Sequence, residues 1–221
     1  MITVYYTEVD AITGDGLWSW LAHEAPVSVR ERITNYTSRQ EQAIRICGKI
    51  LLSQLLKHYA LDIGLSLADI EYNKRGRPFF NTNFDFNIAH SAGVVICAGG
   101  VDIKIGADIE EIKDIDTELM KDYFTPKEWK KINNSPSHGV FNRNMFYQMW
   151  VRKEAYLKAV GHGLFLPLYE IDVRSDEIKL NDSKWYLRDI FIKENYAACI
   201  ATNVRRAEIH IIKIELNTLI N

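Results

Sequence analysis

The sequence predicts an α+β fold built from a pseudo-two-fold duplication of one helix-plus-antiparallel-sheet unit. Each half contains a long amphipathic helix that follows a capping motif, and each helix is followed at a similar spacing by two strand-like runs. The two pairs of runs resemble each other: "GVVICAGGVDIKIGADIEEI" and "NYAACIATNVRRAEIHIIKIEL". We expect an N-terminal half at 1–103, a C-terminal half at 104–221, and a ligand site in the cleft between them.

The first half begins with a predicted strand, "MITVYYTEV", which is rich in β-branched and aromatic residues. Ser38 and Glu41 have the spacing of a capping box, in which Glu41 reaches back to the Ser38 amide. The apolar positions after it recur at helical spacing and predict a helix that runs to about Tyr59.

The second half repeats these signals. Thr125 and Glu128 form another capping box, with Pro126 at the favoured first helical position. A long helix is predicted over about Arg143 to Val160, ending at the Gly161-His162-Gly163 segment.

Composition narrows the class of protein. The chain has 221 residues and a formal net charge of −2, a balance that argues against a bulk nucleic-acid binder. Cys47, Cys97 and Cys199 lie in separate apolar runs without metal-ligand spacing, which favours buried free thiols in a reducing compartment. No signal peptide or membrane span is evident, so we expect a cytoplasmic protein.

Acidic side chains alternate in "GADIEEI". In a strand, Asp108 and Glu110 project from one face while Ile109 projects from the other. Two converging carboxylates favour a hard cation such as magnesium or calcium. The alternative is a strand end with solvated acids.

Charged residues also punctuate "WVRKEAYLK", residues 150–158, in a segment that otherwise has an apolar-faced helical pattern. Glu154 and Lys158 are four residues apart, which stacks them on one helix face. They predict either an ordinary surface ion pair or a third carboxylate with a phosphate-binding lysine beside it. By itself, this stretch favours the ion pair.

Basic groups and one histidine are the remaining candidates for binding an anion. His90 closes the alternating run "FNIAHSAG", where it could donate to a phosphate or serve a structural role. Arginine binds phosphate bidentately. The scattered basic residues are Arg30, Arg32, Arg45, Lys74, Arg75 and Arg77, any of which could instead be solvated.

Taken together, these motifs resemble the phosphopantetheinyl transferases of the surfactin-synthetase-activating type. That family carries a Gly-x-Asp-x-Glu strand, followed about forty residues later by a Trp-x-x-Lys-Glu-Ala/Ser-x-x-Lys helix. Residues 150–158 fill every fixed position of the second motif. The segments "GRP", "FNIAHSAG" and "GHGLFLPL" resemble further elements of the family. The resemblance implies a pseudo-dimer of two α+β halves.

The resemblance also implies a reaction: magnesium-dependent transfer of the 4′-phosphopantetheine arm from coenzyme A to a carrier-protein serine, with release of 3′,5′-ADP. The implied metal ligands are Asp108, Glu110 and Glu154, and the implied catalytic residues are Glu154, Lys158 and Asp108. Glu154, or a water that it orients, would take the serine proton. The implied coenzyme A ligands are Arg32, Arg45, Arg77, His90, Ser91, Lys153 and Lys158, with Arg30 as the alternative to Arg32.

The sequence departs from the family pattern at three positions. Ala89 replaces the serine that usually precedes the histidine, and Ser91 is a possible substitute for its hydroxyl. Arg77 replaces the lysine of the Gly-Lys-Pro turn, and Ala107 is smaller than the usual branched residue. None of these changes removes an implied metal ligand.

The implied partner is an acidic, helical acyl or peptidyl carrier protein, and we expect Lys113, Lys121 and Phe124 to dock it. Fatty-acid, polyketide and nonribosomal-peptide synthases all carry such proteins, and the sequence does not choose among them. The internal duplication favours a monomer. Two alternatives stay open: a coenzyme A or nucleotide sensor without transfer activity, and a magnesium-dependent phosphohydrolase.

Overall fold

The structure of the protein is a computed structural model that describes residues 1–9, 15–59, 63–115, 118–133, 141–161, 167–180 and 183–219. The chain divides into two compact units. Unit 1 comprises Met1–Asp102 and Glu208–Asn221, and unit 2 comprises Ile103–Ala207. The elements of both units are mixed helices and sheets, which confirms the predicted α+β class.

The described residues of unit 1 form three α-helices and six strands. The helices are α1 (Asp15–His23), α2 (Val27–Thr34) and α3 (Arg39–His58). The strands are β1 (Ile2–Glu8), β2 (Glu71–Tyr72), β3 (Pro78–Phe79), β4 (Phe84–Ser91), β5 (Val94–Val101) and β10 (Ile209–Lys213). Four of them form a sheet in the order β10-β1-β5-β4, and β2 and β3 form a separate hairpin.

Helix α3 packs its apolar face on this sheet. Ser38 caps it by accepting a hydrogen bond from the Glu41 amide at 3.4 Å. The predicted reciprocal contact of the capping box is replaced, because the Glu41 carboxylate pairs with Arg45 one turn along the helix. The buried α3 residues include Ile46, Leu51 and Leu55, which belong to one core with Cys97.

In the described part of unit 2 there are two α-helices, α4 (Pro126–Asn133) and α5 (Arg143–Val160). Its strands β6 (Ile105–Glu111), β7 (Glu177–Leu180), β8 (Ser183–Asp189) and β9 (Tyr196–Thr202) form an antiparallel sheet in the order β6-β9-β8-β7. The predicted second capping box is confirmed, since the Thr125 amide donates to Glu128 at 2.8 Å and the Glu128 amide donates to Thr125 Oγ1 at 3.2 Å.

The helix α5 has the bounds that the sequence predicts. Asn142 caps its N-terminus by accepting from the Met145 amide at 3.0 Å. Gly161 ends it in the left-handed conformation, with φ of 69°. The predicted motif residues that follow, 162–166, lie outside the described residues.

The same order of elements occurs in both units. In unit 1, β1 is followed by α3 and then by β4 and β5, and β1 pairs with β5. In unit 2, β6 is followed by α5 and then by β8 and β9, and β6 pairs with β9. This correspondence is the repeat that the two similar strand pairs indicate in the sequence.

The C-terminal segment is the exception to the expected division at 104–221. β10 follows β9 along the chain but pairs in parallel with β1, so Glu208–Asn221 belong to unit 1. Strand β10 forms its backbone hydrogen bonds with β1. The turn signals after β9 in the sequence do not indicate this pairing. Among the described residues, no helix is long and apolar enough to cross a membrane.

Candidate active site

Strand β6 approaches helix α5 so closely that only glycine fits at position 106. A Cβ atom on Gly106 would lie 2.0 Å from the carbonyl oxygen of Ala155 and 2.4 Å from the amide nitrogen of Ala159. Both are backbone atoms of the helix and cannot rotate away. Because residues two apart share one face of a strand, Gly106 brings Asp108 and Glu110 toward α5.

Lys158 of α5 contacts Asp108 of β6. Its Nζ donates to Oδ1 of Asp108 at 2.6 Å, with the Asp108 side chain only 6% exposed and that of Lys158 32% exposed. The sequence favoured an ion pair between Lys158 and Glu154. The structure shows Lys158 paired with Asp108 instead, because a buried carboxylate has more to gain from a counter-ion than a half-exposed one.

The carboxylates of this site repel one another. Burial raises the pKa of Asp108 to about 7; Lys158 opposes this, and the charges of Glu110 and Glu154 add to it. Burial likewise raises the pKa of Glu154, with Lys158 opposing the shift and Glu110 adding to it. Asp108, Glu110 and Glu154 are thus close enough to influence one another's ionisation, and we refer to them as the acidic group.

The residues of this group suit a hard cation. Oδ2 of Asp108 is buried and has no hydrogen-bond partner among the described residues. An orphaned carboxylate oxygen beside two further carboxylates is a donor set that magnesium prefers. Within the described ranges, no three acidic, histidine or cysteine side chains are grouped closely enough to form a preformed metal site.

Lys153 does not face this site. Its side chain is fully buried and lies 2.8 Å from Oε2 of Glu128, which is also fully buried. Its Nζ also donates to the carbonyl oxygens of Leu168 at 2.8 Å and Ile171 at 2.5 Å. The expectation that Lys153 binds coenzyme A is therefore corrected: its ammonium is enclosed by protein acceptors.

Glu128 links three segments of unit 2. One oxygen accepts from the Thr125 amide at the start of α4, and the other accepts from the Val173 amide at 2.8 Å. The capping box indicated the first contact in the sequence. The contact with Lys153 joins residues 25 apart on different elements, and no local pattern indicates it.

In unit 1, Arg45 and Arg32 lie over aromatic rings. The guanidinium carbon of Arg45 is 4.9 Å from the centre of the Tyr36 ring, and that of Arg32 is 3.8 Å from the centre of the Tyr72 ring. Nε of Arg45 is buried without a hydrogen-bond partner among the described residues. Arg30, the alternative to Arg32, donates to the carbonyl oxygen of Ala22.

Lys49 is a candidate anion ligand that the sequence reasoning missed. Burial, together with the charges of Arg32 and Arg45, lowers its pKa to about 8. Its position four residues after Arg45, on the same helix face, is the signal that could have indicated it. Three mutually repelling cations in one region suit a phosphate group.

The Arg77 guanidinium is held by an acidic partner. Its Nη2 lies 3.0 Å from both carboxylate oxygens of Asp85, and both side chains are largely buried. The turn before it is ordered by Asn73, whose Oδ1 accepts from the Arg75 and Arg77 amides, with Gly76 at φ of 79°. The Arg77 side chain is thus held against Asp85 beside a turn that Asn73 orders.

His90 and Ser91 end β4, where a tight turn leads into β5. Both are partly buried, and they pair with Val95 and Val94 across the hairpin. The turn residues Ala92 and Gly93 have positive φ values of 42° and 84°. The two predicted anion ligands are thus adjacent at the end of one hairpin.

The expected docking residues differ in exposure. Lys113 and Lys121 are exposed, whereas Phe124 is 4% exposed and packs in the core against Phe146. The expectation for Phe124 is therefore corrected. Its neighbour Tyr123 is 41% exposed and lies edge-on to Trp150 at 5.7 Å between ring centres.

Comparison with known proteins identifies the same region. The family model described as the 4′-phosphopantetheinyl transferase superfamily matches residues 104–201, which contain both β6 and α5. A 4′-phosphopantetheinyl transferase of Bacillus subtilis is 33% identical over 150 residues, which cover 66% of this chain and 64% of the relative. The 4′-phosphopantetheinyl transferase Sfp of Bacillus subtilis strain 168 is 29% identical over 186 residues, which cover 78% of this chain and 80% of the relative.

A solved structure of Thermotoga maritima holo-[acyl-carrier-protein] synthase overlaps weakly, with a TM-score of 0.34 and 13% identity over 45% of this chain and 61% of that one. The matches in sequence fall on the strand and the helix that carry the acidic site. Over this region the chain is similar to 4′-phosphopantetheinyl transferases, and these matches support that enzyme class.

Proposed function

We propose that this protein transfers the 4′-phosphopantetheine arm of coenzyme A to a serine of an acyl or peptidyl carrier protein, and that it is of the surfactin-synthetase-activating type. The observation that carries the proposal is the buried Asp108 carboxylate, with its orphaned oxygen and its lysine partner, beside Glu110 and Glu154. Similarity to Sfp over most of that relative's length supports the type.

Asp108, Glu110 and Glu154 would hold magnesium. When bound, magnesium neutralises charge on a diphosphate and on the group that leaves it. The raised pKa of Asp108 also has a consequence here: near pH 7 this carboxyl is partly protonated, and cation binding must release that proton.

Glu154 is the proposed base, acting directly or through a water that it orients. It takes the proton of the carrier serine as the serine Oγ forms a bond to the β-phosphorus of coenzyme A. The bond from that phosphorus to the bridging oxygen breaks, and 3′,5′-ADP leaves with the electron pair. Burial raises the pKa of Glu154, which makes it a better base than an exposed carboxylate.

Lys158 is the proposed cationic partner of the donor diphosphate. It projects from α5 beside Glu154 and is the accessible lysine of the motif, whereas Lys153 is enclosed. In unit 1, we propose Arg32, Arg45, Lys49, His90 and Ser91 as further ligands of coenzyme A. Arginine binds phosphate through its planar, bidentate guanidinium, and lysine binds it through a compact positive charge.

Carrier docking is proposed for Lys113, Lys121 and Tyr123. Two exposed lysines would attract an acidic helical partner, and an exposed ring resting on Trp150 offers rigid apolar contact. Tyr123 thus takes the role that the sequence assigned to Phe124.

The proposal is tested by incubating the protein with coenzyme A, magnesium and apo carrier proteins, and by following both the intact carrier mass and 3′,5′-ADP. Equal amounts of added phosphopantetheine arm and released nucleotide are expected. Release of 3′,5′-ADP without a carrier would instead identify a phosphohydrolase, and tight binding of coenzyme A without either product would identify a sensor.

A further inference from the structure

Lys158 has two possible partners at the site that we propose. Its ammonium is held at 2.6 Å by Oδ1 of Asp108, the most buried carboxylate of the acidic group. The same ammonium is the accessible cation beside Glu154, which a donor diphosphate bound at this site would meet. Since the side chain is 32% exposed, it can leave Asp108 and reach solvent without unfolding the helix.

A divalent cation and the Lys158 ammonium would compete for Asp108. Oδ1 accepts a hydrogen bond from the lysine, and the buried Oδ2 has no hydrogen-bond partner within the described part of the chain. Two cations on one buried carboxylate repel each other strongly where the dielectric constant is low. A bound cation therefore weakens the contact of Asp108 with Lys158.

We propose that Lys158 couples cation binding to donor binding: the ammonium that Asp108 holds is released when a divalent cation takes that carboxylate, and it then contacts the phosphates of the donor. The proposal rests on the proposed function, because it needs both a cation and an anionic donor at this site. It adds that the contribution of Lys158 to donor affinity depends on the cation.

Linkage makes the coupling reciprocal. If the cation increases the affinity for coenzyme A by releasing Lys158, coenzyme A must increase the affinity for the cation by the same factor. This coupling comes in addition to any direct contact between cation and diphosphate, and only the part that depends on Lys158 is lost when the lysine is replaced.

The experiment measures coenzyme A binding by calorimetry to the wild-type protein and to Lys158→Gln, each with excess EDTA and with saturating magnesium. Glutamine can still donate a hydrogen bond to Asp108 but carries no charge. With EDTA, we expect the two proteins to agree within about twofold, the spread of uncoupled changes. With magnesium, we expect the variant to bind roughly 5- to 150-fold more weakly, the usual range of coupling.

A third protein, Asp108→Asn, tests the release directly. Without a carboxylate to hold it, Lys158 is available to the donor, so coenzyme A binds Asp108→Asn more tightly than wild type in EDTA. Adding Lys158→Gln to this background should abolish that gain. The double variant still lacks the Asp108 charge. Any gain in affinity that it keeps over Lys158→Gln is therefore due to lost repulsion between Asp108 and the diphosphate, and not to Lys158.

The outcomes separate the inference from the proposed function. A loss of affinity in Lys158→Gln that is equal with EDTA and with magnesium, or no loss in either, overturns the coupling alone. Failure of magnesium to bind the wild-type protein in a direct calorimetric titration, with or without coenzyme A, overturns the cation site and the coupling together. Far-UV circular dichroism and urea unfolding of each variant establish that it is folded.

Discussion

Lys153 and Glu128 form a fully buried ion pair, with 2.8 Å between Nζ and Oε2. Lys153 directly precedes Glu154, the proposed base. The Lys153 ammonium is enclosed by protein acceptors, whereas the Glu154 carboxylate interacts with the charges of Lys158 and Glu110. Burial lowers the pKa of Lys153, and the charge of Glu128 and its hydrogen bond oppose that shift. The pair anchors α5 to the start of α4 and to residues 168–173, which fixes the rotation of α5 that presents Glu154 and Lys158 to β6.

Replacing Lys153 by methionine should destabilise the protein by about 3–5 kcal/mol, because it leaves the Glu128 carboxylate buried without its partner. Urea unfolding measures this loss, and Lys131→Met, which removes an exposed lysine of α4, is the matched control with little effect. Any loss of coenzyme A affinity in Lys153→Met should accompany the loss of stability, because Lys153 acts by holding α5 in place. A selective loss of affinity with normal stability would return Lys153 to the phosphate ligands.

Replacing Gly106 by alanine should destabilise unit 2 by about 3 kcal/mol or more, since the new methyl group meets helix backbone that cannot yield. Gly48→Ala is the comparison. There the new Cβ would lie 3.1 Å from Cγ2 of Ile88, a side-chain atom that can shift, and alanine favours the helix. Thermal unfolding of both variants should rank Gly106→Ala well below Gly48→Ala, and equal melting temperatures would contradict the close approach of β6 to α5.

Asp108 should make stability depend on pH. Its carboxyl ionises near pH 3.8 in the unfolded chain and near 7 in the folded protein, so the folded state binds the proton more tightly between these values. This group therefore lowers the free energy of unfolding as pH rises from about 4 to about 7. Urea unfolding in EDTA measures the free energy of unfolding across this pH range. It should fall less steeply with rising pH for Asp108→Asn than for wild type, and parallel curves would argue against the raised pKa.

Tyr123 and Phe124 should respond differently to replacement by alanine. Tyr123→Ala should raise KM for the carrier protein with little change in stability, because the ring is 41% exposed. Phe124→Ala should instead lower stability by about 3–5 kcal/mol, as expected for a buried aromatic ring. Steady-state kinetics with a fixed coenzyme A concentration, combined with unfolding of each variant, distinguish the two; a KM effect confined to Phe124→Ala would reverse the assignment.

The sequence predicted those parts of the fold and site that local patterns determine. Alternation on one strand placed Asp108 and Glu110 on a common face, and the four-residue spacing placed Glu154 and Lys158 on one side of α5. The cap residues Asn142 and Gly161 agree with the predicted bounds of that helix. The acidic group as a whole followed from the resemblance to a known family, since no local pattern relates residue 108 to residue 154.

The predictions that were wrong, and the contacts that were missed, concern residues whose environment depends on distant elements. Lys153 belongs to the same motif as Glu154, but only packing against 168–173 shows that it is enclosed. Phe124 and Tyr123 are adjacent, and the sequence does not indicate which of them faces the core. The pairing of β10 with β1 joins the two ends of the chain, and a contact at that separation has no sequence signature.

The central claim is that Asp108 and Glu154 serve phosphopantetheine transfer, and the most direct test is the intact mass of an apo carrier protein after incubation with coenzyme A and magnesium. Wild-type protein should add one phosphopantetheine arm to at least one carrier of a panel drawn from fatty-acid, polyketide and nonribosomal-peptide synthases. Asp108→Asn and Glu154→Gln, verified as folded, should leave the same carrier almost entirely in its apo mass. Full conversion by both variants at the wild-type rate would contradict the assignment of these carboxylates.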